Sequence, residues 1–227
     1  MNRRSPRNTN DTVLPAIVPQ CGMPVESDHR VHVVDDDAAF RCGLSQQLRS
    51  VGFAVAEHQG PELFLATYQP FGAECLIMDL RMPEMTGVEA QREMIRRCIT
   101  MPIILISAFA STGDVVEAMK DGAYDFLEKP IADDVLLKTV RSALRHDRSR
   151  KQRVGDLDQR LSRLSDRERE VMKLLIQAAT TQEAARRLGI SPKTVENHRA
   201  HIYAKLAVAS VPELMRLLSP PVTQSPK

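Results

Sequence analysis

Short apolar runs that end in polar residues alternate with amphipathic stretches through the first two thirds of the chain. The run VHVV at 31–34 is β-branched and precedes three Asp residues, and ECLIM at 74–78 runs into a further Asp. Between these runs apolar residues return every four positions, as at Phe40, Leu44 and Leu48. The runs predict buried strands, and the four-residue period predicts helices. Repeated alternation predicts a parallel sheet covered on both faces, because parallel strands need crossover connections.

The alternation stops in the last third of the chain. Strands are expected at 31–34, 53–56, 74–78, 101–107 and 124–127, with helices at 38–50, 61–67, 88–98, 115–120 and 133–145. Past residue 160 only four helical patterns follow, and Ser165, Thr180 and Ser191 are candidate N-caps. The prediction is an α/β domain with a five-stranded, doubly wound parallel sheet, followed by an all-α domain of four helices.

Composition places the boundaries between these two domains. We expect a Pro-rich mobile tail at 1–29, the α/β domain at 30–145, a charged linker at 146–162 that partly extends the preceding helix, the helical domain at 163–220 and a tail at 221–227. Residues 1–145 carry 15 Lys and Arg against 20 Asp and Glu, whereas residues 146–227 carry 16 against 9. An acidic domain joined to a basic one indicates that nucleic acid binds the second.

Several classes of protein do not fit the sequence. No apolar run approaches the ~18 residues of a membrane span, and no hydrophobic block follows Arg3 and Arg4, so we expect a cytoplasmic protein with no membrane partner. The Cys residues form no C-x-x-C pair, and we interpret Cys42, Cys75 and Cys98 as reduced core residues. Aromatic residues make up only 4%, which argues against a stacking platform for single strands.

Polar side chains collect where the predicted strands end. The carboxyl ends of parallel strands meet at one edge of a sheet, and this edge should carry Asp35, Asp36, Asp37, Asp79, Ser107, Glu128 and Lys129. Clustered carboxylates without Cys or a nearby His suit Mg²⁺. Carboxylates beside a metal, a hydroxyl and a Lys are an arrangement for phosphoryl transfer, with one carboxylate as the nucleophile. Each Asp taken alone has a plainer interpretation, as the N-cap of the next helix.

The basic domain contains two helices joined by the tight turn LGIS at 188–191. This is a helix-turn-helix arrangement, whose second helix enters the major groove of DNA. Ile202 and Leu206 share an inner stripe of that helix with Val195. We predict that DNA contacts come from the segment Lys193, Thr194, Val195, Glu196, Asn197, His198, Arg199 and Ala200, and from Lys205. A solvated helix face is the alternative interpretation.

The motifs VVDDD, LIMDLRMPEMTG, ILISA and DFLEKP in the α/β domain resemble those of the receiver domain of two-component response regulators. The resemblance implies a CheY-like fold in which Asp79 accepts a phosphoryl group from a sensor histidine kinase. It implies that Mg²⁺ is held by Asp35, Asp36, Asp79 and the backbone carbonyl of Arg81. It implies that Ser107 and Lys129 contact the phosphoryl oxygens, and that the bond from Lys129 to Pro130 is cis.

The same resemblance implies a conformational switch. Phosphorylation would draw Ser107 inward, and Phe126 would follow into the space that it leaves. The face formed by 115–120, 124–127 and 132–145 would then change and join two copies as a homodimer. A core strand residue is the plainer interpretation of Phe126.

The motifs LSDREREV, ARRLGIS and TVENHR are similar to the LuxR-type helix-turn-helix of the NarL/FixJ response regulators. Within that group AMKDGAYDFLEKP is typical of the FixJ-like branch, and the length and tail are compatible with a nodulation regulator of the NodW kind. Some positions depart from the family pattern. Ala178 and Ala207 stand where Gly is usual, Gln182 replaces a common Lys, and Ala184 replaces a larger aliphatic residue.

These features together predict a non-enzymatic response regulator. Phosphorylation of Asp79 drives dimerisation and sequence-specific binding to double-stranded DNA, and the regulator activates transcription with RNA polymerase as a further partner. One alternative is a Mg²⁺-dependent phosphohydrolase that works through an aspartyl phosphate, although Arg81 stands where such enzymes carry a second acid. The other is a DNA-binding regulator that works without phosphorylation.

Overall fold

The computed structural model describes residues 28–109 and 111–219. In the first domain the elements are β1 (His29–Val34), α1 (Ala38–Ser50), β2 (Val55–His58), α2 (Pro61–Thr67), β3 (Ala73–Asp79), α3 (Gly87–Arg96), β4 (Ile103–Ser107), α4 (Thr112–Lys120), β5 (Asp125–Glu128) and α5 (Asp133–Ser162). The second contains α6 (Asp166–Ile176), α7 (Thr181–Leu188), α8 (Pro192–Leu206) and α9 (Val211–Leu218). Cys21, the predicted tail at 221–227 and all but the last two residues of the tail at 1–29 lie outside the described residues.

The five strands form one parallel sheet in the order β2-β1-β3-β4-β5. Its central strands, β1, β3 and β4, are mostly apolar because helices cover both faces. One face packs against α1 and α5, through side chains such as Leu48 and Val140, and the other against α2, α3 and α4, through Phe64 and Met94. The predicted fold class is therefore confirmed.

Strand β2 lies two residues beyond its predicted position. The prediction began at Phe53, but the Phe53 N–H donates to the Leu48 carbonyl at 3.1 Å and so belongs to the end of α1. The strand instead includes Glu57 and His58, which pair with β1 at the edge of the sheet. Polar residues are tolerated there, and for that reason hydrophobicity alone misplaced the strand.

The prediction of core cysteines is correct for Cys75, which is buried in β3, and wrong for Cys42 and Cys98, which are exposed. Cys42 lies two positions from Phe40 and Leu44, and on a helix that spacing points away from the inward stripe. Cys98 follows α3 in a turn, with φ of 56°.

The second domain is the predicted set of four helices around one small core. Val171, Val195, Ile202 and Leu214 are fully buried in that core, one or two from each of three helices. The predicted N-caps all cap helices: the side chains of Ser165, Thr180 and Ser191 accept from the N–H three residues later.

Helix α5 runs without interruption from Asp133 to Ser162, through the segment that the sequence marks as a charged linker. Its first part packs on the sheet through Leu136, Val140 and Leu144. Within residues 28–109 and 111–219, no helix is both long and apolar enough to cross a membrane.

Candidate functional site

Four strands deliver polar groups to one edge of the sheet. Asp35 follows β1, Asp79 ends β3, Ser107 ends β4 and Lys129 follows β5. The register brings them together, since Asp79 lies beside Ile106 and Ser107 beside Glu128. Residues that are remote in the chain therefore become neighbours only because the strands are parallel and in this order.

Lys129 joins the two inner carboxylates of this edge. Its Nζ lies 2.8 Å from Asp35 Oδ2 and 3.4 Å from Asp79 Oδ2. The same ammonium lies 3.8 Å from the centre of the Phe40 ring, at cation–π distance. Asp35 is fully buried, and its Oδ1 also accepts the Asp37 N–H at 2.9 Å. The ammonium therefore has a fixed position between two carboxylates, with one ring beside it.

Three carboxylates of this edge are close enough to share a metal ion. Single oxygen atoms of Asp35, Asp36 and Asp79 all lie within 4.8 Å of one another, with Asp36 exposed to solvent. An all-oxygen set of this charge fits Mg²⁺. Asp37, by contrast, caps α1 by accepting the Ala39 N–H at 2.8 Å. Among Asp35, Asp36, Asp37 and Asp79, only Asp37 is therefore the N-cap of the helix that follows its strand.

Burial raises the pKa of Asp79 above its ordinary value, and the neighbouring Asp35 raises it further. Lys129 and the backbone N–H of Arg81 act in the opposite direction without cancelling the effect. A cation at this edge would favour the ionised form of the carboxyl. The site therefore holds a partly buried carboxylate that gains from added positive charge.

Ser107 and Phe126 lie on the neighbouring strands β4 and β5, where Phe126 pairs with Leu105 and Ser107 with Glu128. Ser107 is buried, and its Oγ accepts the Phe109 N–H at 3.2 Å. Phe126 is partly buried and packs on the core cluster that contains Leu105 and Ala118. The bond between Lys129 and Pro130 is cis, which confirms that expectation.

Sequence reasoning missed three features of the site. Gly87 begins α3 so close to the acidic edge that a Cβ there would stand 2.7 Å from the Asp79 carbonyl oxygen. The Arg81 guanidinium lies 3.3 Å from Asp114 Oδ2 and so joins the site to the first turn of α4. The Phe40 ring lies beside Lys129. Of these three features, only Gly87 could have been recognised in the sequence, because a glycine directly follows Thr86, the N-cap of α3.

In the second domain, α7 and α8 meet at a turn in which Gly189 adopts the left-handed conformation, with φ of 64°. Helix α8 buries Val195, Ile202 and Leu206 against the other helices. The predicted DNA contact of Val195 is therefore wrong for its side chain, which has no exposed surface. Val195 lies in the inner stripe of α8 with Ile202 and Leu206, so its side chain faces the core of the helical domain.

The other predicted contact residues differ in how free their side chains are. Those exposed on α8 are Lys193, Glu196, Asn197 and Ala200, and those partly buried are Thr194, His198, Arg199 and Lys205. Glu196 accepts a hydrogen bond from Thr181 at 2.8 Å. Arg199 donates to the Tyr203 hydroxyl at 3.0 Å. Helix α8 therefore presents a largely polar face, on which Glu196 and Arg199 also bond to neighbouring side chains.

Lys205 makes a structural contact. Its Nζ lies 2.6 Å from Glu168 Oε2, and Glu168 is buried in α6. This hydrogen bond, together with those from Ser165, lowers the pKa of Glu168 to about 2. Glu168 also completes the capping box of α6 with Ser165. Lys205 thus joins the C-terminal end of α8 to the beginning of α6.

Two family models match the chain. Residues 31–141 match the response regulator receiver domain, and residues 162–218 match the bacterial regulatory proteins of the luxR family. The two matches fall on the α/β domain and on the helical domain respectively.

Individual relatives match both domains at once. The chain is 40% identical to the transcriptional regulatory protein FixJ of Rhizobium meliloti (strain 1021), over 84% of this chain and 95% of the relative. It is 36% identical to nodulation protein W of Bradyrhizobium diazoefficiens, over 82% of this chain and 84% of the relative. The solved structure of the response regulator StyR has 37% identity and a TM-score of 0.57, over 84% of this chain and 98% of that one.

Proposed function

Because this chain belongs to the FixJ-like response regulators, in which a receiver domain precedes a LuxR-type DNA-binding domain, we propose that Asp79 is its phosphoacceptor. The chain is a two-component transcriptional regulator, so a histidine kinase and DNA are its partners. The observation that carries the proposal is the position of Lys129 Nζ between Asp35 and Asp79. The relatives are regulators, and we assign the chain no enzymatic turnover of small phosphoesters.

The phosphoryl transfer uses the geometry of the acidic edge. The Asp79 carboxylate attacks the phosphorus of a phosphohistidine, the P–O bond forms as the P–N bond breaks, and the leaving imidazole takes up a proton. Mg²⁺, when held by Asp35, Asp36, Asp79 and the Arg81 carbonyl, neutralises charge on the phosphoryl oxygens. Lys129 is already within 3.4 Å of the acceptor carboxylate and needs only a small shift to reach a phosphoryl oxygen.

The switch begins at Ser107. Its hydroxyl accepts only a backbone N–H, that of Phe109, among the described residues, so the hydroxyl proton is free to donate to a phosphoryl oxygen. Phe126 on the next strand then moves into the space that Ser107 leaves. We propose that this changes the face of α4, β5 and α5 and that two receivers pair there. Val116 and Val135 are exposed apolar side chains on that face.

The paired chains bring two copies of α8 to DNA. Lys193, Asn197 and Ala200 are exposed on the face that enters the major groove, with Glu196 beside them. Thr194, His198 and Arg199 flank the groove and contact phosphate or sugar. We propose that the bound dimer recruits RNA polymerase and activates transcription, and that the protein acts in the cytoplasm, where its DNA lies.

This function assigns a role to each part of the chain. We propose that residues 30–145 are the receiver, that 146–162 connect the domains and that 163–220 bind DNA, with tails at 1–29 and 221–227. The match of the two family models to 31–141 and 162–218 supports these boundaries.

Intact mass measurement tests the phosphoacceptor. The full chain is incubated with Mg²⁺ and acetyl phosphate, beside Asp79→Asn. We expect one added phosphoryl group in the wild type and none in the variant. A gain in both would place the acceptor elsewhere. No gain in either, even with phosphorylated kinase domain as donor, would favour a DNA-binding regulator that works without phosphorylation. Sustained release of phosphate from small phosphoesters would support the phosphohydrolase alternative.

A further inference from the structure

Helix α5 takes part in a buried ionic cluster far from the acidic edge. Glu74, near the start of β3, and Asp147, in α5, are both fully buried. The Glu74 N–H donates to Asp147 Oδ2 at 2.9 Å. Lys151 Nζ lies 3.1 Å from Glu74 Oε2 and 3.0 Å from Asp147 Oδ2. It also donates to the carbonyl oxygens of Phe71 and Gly72, at 2.9 and 2.6 Å.

The charges of this cluster are matched. Although burial by itself raises the pKa of Glu74, hydrogen bonds from His32, from a backbone N–H and from Lys151 hold it below its ordinary value. Arg150 donates to the second oxygen of Asp147 at 2.6 Å. Breaking a buried pair of this kind leaves a charge without compensation. The turn of α5 at 147–151 is therefore held to the receiver by buried polar contacts.

The far end of α5 belongs to the other domain. Leu161 packs on the core of the helical domain. Arg160 donates to the Leu206 carbonyl, at the C-terminal end of α8, at 3.2 Å. The last turn of α5 is therefore attached to the DNA-binding domain.

Between these two anchored ends the side chains of the helix make no polar contact with either domain among the described residues. All five residues from Gln152 to Asp156 are exposed. None of their side chains forms a hydrogen bond or an ion pair with any residue that the structure describes. Gly155 lies in this stretch, with open space where a Cβ would stand. Glycine weakens a helix interior, because it has the most conformational freedom to lose.

We propose that residues 147–151, at the beginning of the connecting segment, are fixed to the receiver and that residues 152–156, which include Gly155, are the hinge about which the DNA-binding domain moves. Lys151 is then a positioning residue, which sets where the hinge begins. The location of the hinge follows from these contacts alone, whereas its role in switching rests on the proposed function.

Amide hydrogen exchange of the full chain tests the location. Residues 147–151 are expected to exchange as slowly as the earlier turns of α5. Residues 152–156 are expected to exchange about tenfold faster, since only helix hydrogen bonds protect them. Equal protection from 147 to 156, or fast exchange that already begins at His146, would overturn the proposal.

Two variants with matched controls sharpen this test. Lys151→Met is expected to extend fast exchange back to Asp147, whereas Lys138→Met, on an exposed position of the same helix, leaves the pattern unchanged. Gly155→Ala keeps the cluster intact and covers the case in which Lys151→Met does not fold. It is expected to slow exchange at 152–156 about two- to fivefold.

Gly43→Ala is the control for Gly155→Ala. Gly43 is also exposed within a helix and also has open space at the Cβ position. It should leave exchange at 152–156 unchanged. Failure of Gly155→Ala to slow exchange in that stretch, or an equal slowing by Gly43→Ala, would contradict the hinge.

The role in switching has its own measurement. DNA affinity of the full chain is compared with and without phosphorylation, which is followed by mass in the same samples. Gly155→Ala is expected to reduce the gain in affinity on phosphorylation several-fold, and Gly43→Ala to preserve it. An equal gain in both variants would contradict the role. If the wild type takes up no phosphoryl group, the proposed function fails, and the exchange data still decide the location of the hinge.

Discussion

The acidic edge of the receiver and the exposed face of α8 hold their charged groups in opposite ways. At the acidic edge, Asp35 and Lys129 are 94 positions apart in the chain and lie in contact, with Asp35 fully buried. On α8, Lys193 and Asn197 are one turn apart and point into solvent. The first arrangement exists only in the folded sheet, whereas the second exists in any helix with this sequence.

This difference predicts how substitutions act. A group at the acidic edge has partners that depend on it, so its removal changes stability and function together. A group on the outer face of α8 has few partners, so its removal changes binding and leaves stability nearly unchanged.

Lys129→Met should lower the free energy of unfolding of the receiver by about 3 kcal/mol without Mg²⁺, because two close carboxylates lose the cation between them. Urea unfolding measures this change. Added Mg²⁺ should recover part of the loss, since the metal neutralises the same carboxylates. Lys138→Met, on the exposed side of α5, is the control and should change stability by less than about 0.5 kcal/mol. Similar stability of both variants without Mg²⁺ would show that the acidic edge does not depend on Lys129.

Two nearby residues of α8 should show opposite behaviour. Val195→Ala opens a cavity in the small helical core and should lower stability by about 2 kcal/mol. Asn197→Ala should leave stability unchanged within about 0.5 kcal/mol and weaken specific DNA binding by about 1–3 kcal/mol, the value of a good base contact. Thermal unfolding and DNA titrations measure the two effects. Unchanged stability of Val195→Ala would contradict its place on the buried face of α8. Unchanged DNA affinity of Asn197→Ala would contradict its place on the DNA-binding face.

The ion pair between Glu168 and Lys205 should make the helical domain sensitive to acid. The Lys205 hydrogen bond and those from Ser165 lower the pKa of Glu168 to about 2, so the pair contributes stability that is complete above the unfolded value of 4.5. That contribution is lost as the pH falls from 4.5 towards 2. His201 Nδ1 lies 3.9 Å from Oε1 of the same carboxylate.

Lys205→Met should reduce this acid sensitivity and cost roughly 1.5 kcal/mol at neutral pH. Circular dichroism melts between pH 2 and pH 7 give both quantities, with hydrogen exchange in α6 and α8 to assign the transition. An unchanged pH profile in the variant would mean that Lys205 does not stabilise the Glu168 carboxylate in solution.

The smallest effect concerns a departure from the family pattern. Ala207, where Gly is usual, ends α8 in the left-handed conformation with φ of 54°. Ala207→Gly should therefore raise the free energy of unfolding by about 1 kcal/mol. Gly43 lies at an ordinary helix position, so the opposite substitution, Gly43→Ala, should raise the free energy of unfolding. A loss of stability in Ala207→Gly would mean that the Ala side chain contributes more by packing than its backbone costs.

The sequence predicted the elements of the fold well, because each depends on a local pattern. The central strands are apolar runs, and the caps of α6, α7 and α8 are Ser or Thr at the expected place. The prediction was wrong where tertiary contacts decide. Strand β2 was misplaced because its pairing lies at a polar edge, and Cys98 was misplaced because it follows the end of α3.

The candidate site shows the same division. Asp35, Asp79, Ser107 and Lys129 could be predicted to meet, because parallel strands end at one edge. The ring of Phe40 beside Lys129 could not, because it depends on how α1 packs. Nor could the ionic cluster around Glu74 and Asp147 be predicted, because no repeating sequence pattern links these positions of β3 and α5.

Coupling between the two domains is measured most directly as the DNA affinity of the full chain before and after phosphorylation. A duplex selected by the protein from a random pool serves as the ligand, and Asp79→Asn is the control. We expect phosphorylation to tighten binding of the wild type by about tenfold or more, because two linked DNA-binding domains then engage two half-sites. The variant should not respond. Equal affinity of the phosphorylated and unphosphorylated wild type would contradict this coupling.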